Sequence, residues 1–162
     1  MSRRILYHST NRKATGKANG LKQGFTFKQA LFMGLAPDNG LFMPSKMPKL
    51  SKEAVMKLKG KPYNEVAYRI LKRFLSKEIE DKELKEIVKS SYTFGIPIEK
   101  LDDITYIVRL DQGPTASFKD FAAIFMARLM QKLKPKNKKI TILVATSGDT
   151  GSAIGEAFRG IK

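Results

Sequence analysis

One lysine stands in a sequence context that suits covalent chemistry. Lys119 follows the segment 113–118 and lies between a strand-like run and an amphipathic helix. A lysine that forms a Schiff base must be available as the neutral amine, and the start of a helix disfavours the ammonium form. Ser117 and Asp120 have the spacing of a capping box, which predicts that Ser117 caps the helix and that Lys119 lies in its first turn. The spacing alone supports a reactive lysine and an ordinary surface lysine equally.

A glycine-rich loop about one strand–helix unit downstream could bind an anion. Residues 146–151 read Thr-Ser-Gly-Asp-Thr-Gly and follow an aliphatic run over 140–145. Backbone N–H groups at the start of the next helix, together with the loop hydroxyls, are typical of an anion site. The loop lacks the Gly-Lys-Ser/Thr sequence and the G-x-G-x-x-G spacing of nucleotide-binding loops. A turn that only connects a strand to a helix is an equal alternative.

Several motifs in order resemble those of one enzyme family. Residues 117–120, Ser-Phe-Lys-Asp, are similar to the cofactor-lysine motif of pyridoxal-phosphate enzymes of the tryptophan-synthase β-like group, and residues 146–151 are similar to their substrate-facing loop. The segments 34–44 and 7–11 narrow the resemblance to threonine synthases. One departure is Asp111-Gln112, where many members carry a histidine and an aromatic residue.

The resemblance implies an enzyme that uses pyridoxal 5'-phosphate to convert O-phosphohomoserine and water to threonine and phosphate. In that family Lys119 would be the catalytic residue and would also bind the cofactor, with Asp149 facing the cofactor ring. The residues that would hold the substrate carboxylate are Thr146, Ser147, Gly148, Thr150 and Gly151. A related lyase that releases phosphate without making threonine needs the same lysine and loop and is the nearest alternative.

The resemblance also implies that the chain is the N-terminal portion of such an enzyme. Members of the family are several times longer than its 162 residues, and their glycine-rich loop for the cofactor phosphate lies beyond this stretch. We therefore expect the chain by itself to be inactive. The sheet would have an open edge, which favours self-association.

The chain is strongly basic, with 31 Lys and Arg against 15 Asp and Glu and a net charge of +16. Such a charge suits nucleic acid or another anionic partner. However, basic and acidic residues alternate along segments such as 77–86, which is typical of a solvated helix face. Two basic clusters, at 12–17 and 132–139, remain, and the second lacks the interleaved aromatic residues of a base-stacking surface. Nucleic-acid binding is therefore disfavoured, and a basic binding or assembly module without catalysis is kept as the alternative to an enzyme.

The composition excludes several kinds of site. The chain has no cysteine and its one histidine is His8, so it can form neither a disulfide framework nor a thiolate or histidine-rich metal site. No apolar run is long enough to span a membrane, and the first residues contain too short an apolar segment for a secretion signal. We predict a cytoplasmic protein without a metal or membrane partner.

The hydrophobic pattern predicts an α/β fold. A mostly helical region, 1–100, should precede the beginning of a parallel-sheet cofactor domain, 101–162. Helices are predicted to begin after Thr26, after Ser51, after Asn64, near Asp81 and near Phe118. Strands are predicted within 5–8, 104–110 and 140–145, and a loop over 36–50. The last two strands, with a helix between them, would form a right-handed βαβ unit with ligand at the carboxyl ends of its strands.

Overall fold

The computed structural model of the chain describes residues 4–11, 24–137 and 139–161. The basic residues Arg12, Lys13, Lys17 and Lys138 lie outside these ranges. Two compact units are present, one from Met1–Gly60 with Arg69–Leu84 and one from Lys61–Tyr68 with Lys85–Lys162. The boundary near residue 100 expected from the sequence does not coincide with these units and stays a prediction.

The described residues form helices joined by short strands, which confirms the α/β class and the mostly helical first region. The helices are α1 (Phe27–Met33), α2 (Lys52–Met56), α3 (Tyr63–Leu75), α4 (Asp81–Ser91), α5 (Asp120–Leu133) and α6 (Asp149–Phe158). The strands are β1 (Tyr7–Ser9), β2 (Phe42–Pro44), β3 (Ile98–Lys100) and β4 (Tyr106–Val108). β1 pairs with β2 and β3 with β4, both antiparallel. None of the helices in these ranges has the length and hydropathy needed to cross a bilayer.

In the first unit, β1 and β2 join the segments 7–11 and 34–44 into one small structure. Ser9 Oγ donates a hydrogen bond to Asp38 Oδ1 over 2.5 Å, and the Gly40 N–H donates to the same oxygen over 3.1 Å. Any side chain at Gly40 would overlap the Ser9 hydroxyl. The two segments that narrowed the resemblance are therefore parts of one packed element.

The same unit has a small aromatic core. Tyr7, Phe25 and Ala30 are buried together, and the rings of Phe25 and Phe42 meet edge to face with centroids 5.0 Å apart. Such pairs stabilise a core beyond the area they bury. The core fixes the β1–β2 pair against α1.

Two predicted helix starts are confirmed by their caps. Thr26 and Gln29 form a reciprocal capping box at α1, with N–H to side-chain oxygen distances of 3.2 and 2.8 Å. At α2, Ser51 Oγ accepts from the Ala54 N–H over 3.2 Å. In both helices a side-chain oxygen satisfies a backbone donor that the helix itself leaves unpaired.

The start predicted for the third helix is wrong. α3 begins at Tyr63, so Asn64 is inside the helix and is not its cap. The carbonyl of Pro62 accepts from the N–H groups of Glu65 (3.0 Å) and Val66 (3.2 Å). Proline has a backbone angle that suits the start of a helix, which moves the start ahead of the asparagine.

The loop predicted over 36–50 is also corrected, because it contains β2. Three residues there, Phe42–Pro44, pair with β1 in the register Tyr7↔Pro44. A strand so short shows no alternation in sequence, and only its partner makes it a strand.

The parallel βαβ pairing predicted for 104–110 and 140–145 does not occur within the described ranges. β4 is shorter than predicted and pairs antiparallel with β3, which a connection of a few residues permits. Residues 140–145 belong to no strand; Leu143 is 89% exposed, while Ile140 and Ile142 are each 36% exposed. A strand needs hydrogen-bonding neighbours beside it, and none of the described strands lies beside this segment.

Candidate functional site

The predicted site residues lie at the starts of two helices that pack through small side chains. Ala123 and Ala127 on α5 and Ala153 and Ala157 on α6 are each at most 6% exposed and form one cluster with Ile124. Residues four apart lie on the same face of a helix, so each helix offers an alanine-rich stripe to the other. Small side chains at the contact allow helix axes to approach closely. This contact between the two alanine stripes, the alanine seam, fixes the positions of the two helix starts.

At these starts, Lys119 and Asp149 form an ion pair. Lys119 Nζ donates to Asp149 Oδ2 over 3.0 Å, and the two side chains are 31% and 72% exposed. Lys119 Nζ also lies 4.4 Å from the centre of the Phe118 ring, within range of a cation–π contact. Two residues singled out in separate motifs are therefore neighbours in space.

The capping box predicted for α5 is wrong. The helix begins at Asp120, with Lys119 as the residue before it and no side-chain cap. Ser117 Oγ accepts from the Lys119 N–H over 3.2 Å, and the Ser117 carbonyl accepts from the Asp120 N–H over 3.0 Å. The Asp120 N–H is therefore paired with the Ser117 carbonyl, and the Ser117 hydroxyl accepts from Lys119 instead of from Asp120.

Asp120 turns back to Thr115 instead, a contact that sequence reasoning missed. Its side chain is fully buried, and it accepts hydrogen bonds from the Thr115 N–H (2.9 Å) and from Thr115 Oγ1 (2.7 Å). Gly113 packs directly against it, since an added Cβ there would lie 2.8 Å from the Asp120 Cβ. The glycine at position 113 is the sequence signal for a close contact, although the sequence does not identify Asp120 as the residue that it contacts.

The loop before α6 exposes its polar groups. Thr146 Oγ1 accepts from the Gly148 N–H over 3.2 Å, and Gly148 is the residue that precedes the helix. A Cβ at Gly151 would lie 2.5 Å from Thr146 Cγ2, so the loop folds over the first turn of α6. The remaining loop positions are Ser147, which is exposed, and Thr150, which is half-buried. Hydroxyl and amide groups are therefore accessible to an anion beside the ion pair.

Lys119 also borders an apolar cavity of about 1050 Å³. Its wall includes Tyr63, Tyr92, Phe94, Ile98, Val108, Phe118 and Phe121. The Tyr92 hydroxyl donates to the Phe121 carbonyl over 3.3 Å. Burial, with a smaller effect of Tyr63, raises the pKa of Tyr92, which stays a hydrogen-bond donor at neutral pH. An amine at the rim of an aromatic-lined cavity suits an aromatic aldehyde.

The departure at Asp111-Gln112 belongs to the β3–β4 hairpin. Arg109 binds the Asp111 carboxylate through two nitrogens, at 2.9 and 2.6 Å, and also pairs with Glu99. Gln112 Nε2 donates to Asp111 Oδ1 over 3.1 Å. The hydrogen bonds from Arg109 and Gln112 hold the pKa of Asp111 well below its usual range. These residues therefore stabilise the hairpin.

Comparison with known proteins gives a consistent result. The family described as threonine synthase N terminus matches residues 7–92. Threonine synthase from Haemophilus influenzae is 40% identical over 137 residues, which cover 85% of this chain and 32% of the relative. The chain thus spans about a third of the length of the curated relatives it matches.

Solved structures agree. The crystal structure of PLP-bound threonine synthase from Brucella melitensis matches with a TM-score of 0.85 and 35% identity, covering 98% of this chain and 34% of that one. Threonine synthase from yeast matches with a TM-score of 0.79 and 29% identity over 97% of this chain and 33% of that one. The resemblance seen in the motifs is confirmed: the chain belongs to the threonine synthase N-terminus family.

Proposed function

We propose that the chain supplies the catalytic lysine of a threonine synthase, a pyridoxal-phosphate-dependent lyase that converts O-phosphohomoserine and water to threonine and phosphate. The observation that carries the proposal is the Lys119–Asp149 pair, with 3.0 Å between Nζ and Oδ2, at the rim of an aromatic-lined cavity. Membership of the family supports the reaction class.

The residues around Lys119 fit the proposed cofactor. Pyridoxal phosphate, when bound, supplies an electron sink next to the substrate amine. Lys119 would bind it through Nζ, and the partly exposed amine and the apolar cavity suit its aromatic aldehyde. Once released, the same Nζ would move protons at the α and neighbouring carbons of the substrate.

Asp149 would hold the lysine amine when it is not bound to the cofactor, and would face the cofactor ring. The 3.0 Å hydrogen bond to Lys119 supports the first role. An exposed carboxylate at this position can move with the lysine without breaking any buried contact.

The loop before α6 would hold the substrate carboxylate. Its proposed contacts are the groups of Thr146, Ser147, Gly148, Thr150 and Gly151. Amide N–H groups at the start of a helix of 10 residues favour an anion. The hydrogen bond from Gly148 to Thr146 preorganises the loop for it.

Two further expectations extend the proposal. Self-association through the apolar segment 140–145 would give its backbone a partner, and Leu143, at 89% exposure, would be covered. A cytoplasmic location stays a prediction.

The first test uses the chain as it is. The protein is mixed with pyridoxal phosphate, reduced with borohydride and digested, and the modified lysine is identified by mass spectrometry. We expect preferential modification of Lys119, and its loss in Lys119→Ala but not in Lys136→Ala, which changes an exposed lysine in a turn. Modification spread evenly over the surface lysines would refute the cofactor assignment.

The second test asks for the reaction. The chain is fused to the remaining two thirds of the Haemophilus influenzae enzyme, and phosphate and threonine are measured separately from O-phosphohomoserine. We expect equal amounts of both, and a loss of about 10³-fold or more in Lys119→Ala. Phosphate without threonine would indicate the related lyase. A folded, cofactor-bound fusion that makes neither product would contradict the proposal.

A further inference from the structure

Asp120, which directly follows Lys119, has contacts that point to a role of its own. Its side chain is 0% exposed. Carboxylates are almost never fully buried unless hydrogen bonds compensate for the lost water. Both oxygens of Asp120 are used: Oδ2 accepts from the Thr115 N–H over 2.9 Å, and Oδ1 accepts from Thr115 Oγ1 over 2.7 Å. Asp120 therefore ties the first residue of α5 to the segment five residues before it.

The segment that Asp120 holds is strained. Ala116 has φ +56°, in the left-handed region where a Cβ comes too close to the following carbonyl oxygen. Its N–H donates to the Gly113 carbonyl over 3.0 Å. Gly113 in turn lies so close to Asp120 that any side chain there would collide with the carboxylate. Gly113 and Thr115, on either side of this turn, therefore both contact the buried side chain of Asp120.

Lys119 lies at the end of this turn. Its N–H is bonded to Ser117 Oγ, and its own carbonyl accepts from the Ala123 N–H over 2.9 Å, the first turn of α5. A shift of the turn would therefore shift the Lys119 backbone, and with it the 3.0 Å contact to Asp149. The position of the amine depends on the contact between Asp120 and Thr115.

We propose that Asp120 is a positioning residue, which through its two hydrogen bonds to Thr115 sets the place of the Lys119 amine relative to Asp149 and the cavity. Asp120 touches none of the reacting atoms. The assignment rests on the proposed function only for the chemistry that Lys119 performs.

The variants separate hydrogen bonding from charge. Asp120→Asn keeps an oxygen for the Thr115 N–H and offers an N–H to Thr115 Oγ1, so both bonds survive without the charge. Asp120→Ala removes both bonds. Thr115→Val removes only the hydroxyl bond, and Thr115→Ser keeps it. Leu129→Ala is the control, because it removes a buried side chain from the same helix, nine residues beyond Asp120.

Two readouts are compared in the same proteins. The first is the rate of borohydride-trapped modification of Lys119 by pyridoxal phosphate, relative to the other lysines. The second is hydrogen–deuterium exchange of residues 113–119 and of α6, which needs no cofactor. We expect Asp120→Ala to slow modification of Lys119 about tenfold or more and to speed exchange over 113–119 only. Asp120→Asn and Thr115→Ser should stay near wild type, and Thr115→Val should fall between.

The outcomes decide the proposal. A folded Asp120→Ala with wild-type modification and exchange overturns it, as does an Asp120→Asn that behaves like Asp120→Ala, since charge would then be responsible. Equal slowing by Leu129→Ala would reduce the effect to general stability and also overturn it. Where Asp120→Ala fails to fold, the Thr115→Val and Thr115→Ser pair decides. If wild-type Lys119 is never modified, the proposed function fails, and exchange alone still judges whether Asp120 holds the turn.

Discussion

The α5–α6 pair and the segment 140–145 differ in how their backbone hydrogen bonds and apolar side chains are satisfied. The helices satisfy their backbone hydrogen bonds internally and bury one alanine stripe each. The segment between them is at least as apolar, yet Leu143 is 89% exposed. A helix forms its backbone hydrogen bonds within itself, whereas a strand forms them with a strand beside it. For this reason the Lys119–Asp149 pair forms although residues 140–145 pair with none of the described strands.

The largest expected effect concerns the buried packing of α5. Leu129 in α5 is 1% exposed, so Leu129→Ala should lower the free energy of unfolding by about 2–5 kcal/mol. Leu143→Ala, at an exposed position, should change it by less than about 0.5 kcal/mol. Denaturant unfolding of both variants measures the difference. Equal losses would mean that the two regions are equally packed and would remove the contrast.

A second prediction tests the exposed apolar segment 140–145. If its backbone and apolar side chains take a partner from another copy, the protein should self-associate with rising concentration. Leu143→Lys places a charge at the exposed side chain and should weaken this association about tenfold or more. Sedimentation velocity over a concentration series gives the answer, with Lys136→Ala as a surface control. A wild-type protein that stays monomeric throughout would contradict the self-association.

The smallest effect concerns the β3–β4 hairpin, whose two strands, unlike the segment 140–145, are paired with each other. Arg109 lowers the pKa of Asp111 in the folded state from its ordinary value of 3.8. A lowered pKa favours the ionised, folded form, so the stabilisation is present above that value and is lost as the pH falls through the folded pKa. Because the pair is exposed, the loss should be small.

The Asp111→Asn variant isolates this contribution. Its melting temperature should be slightly below that of the wild type near neutral pH, about 6–7, and the two should converge in acid. A gap that persists at the lowest pH at which both proteins fold would assign the effect to packing.

Much of the helical part could be predicted from the sequence, because caps and apolar stripes are local signals. Thr26 with Gln29 and Ser51 each cap a helix as predicted. Asn64 failed as a cap because Pro62, two residues earlier, already starts the helix. The three-residue β2 carries no periodic signal of its own. Residues 140–145 have the composition of a buried strand, but composition does not show whether another strand lies beside them to form hydrogen bonds.

At the candidate site, the motifs predict the residues but not the contacts between them. Lys119 and Asp149 were singled out from their motifs, and their contact depends on the alanine seam between α5 and α6, which no motif contains. Asp120 was read as a partner of Ser117 because capping spacing is a local rule. Its actual partner is Thr115, which it reaches through a turn in which Ala116 has a positive φ. Alanine rarely adopts this conformation, so the residue type does not predict the turn.

The ion pair between Lys119 and Asp149 also has a consequence for the order in which the molecule assembles. Its two residues are 30 positions apart in the chain and meet only after α5 and α6 have docked. A carbodiimide joins a carboxylate to an amine only where the two touch, so an amide link between these side chains would record docking. Its yield, followed during refolding, would therefore time the docking of these two helices.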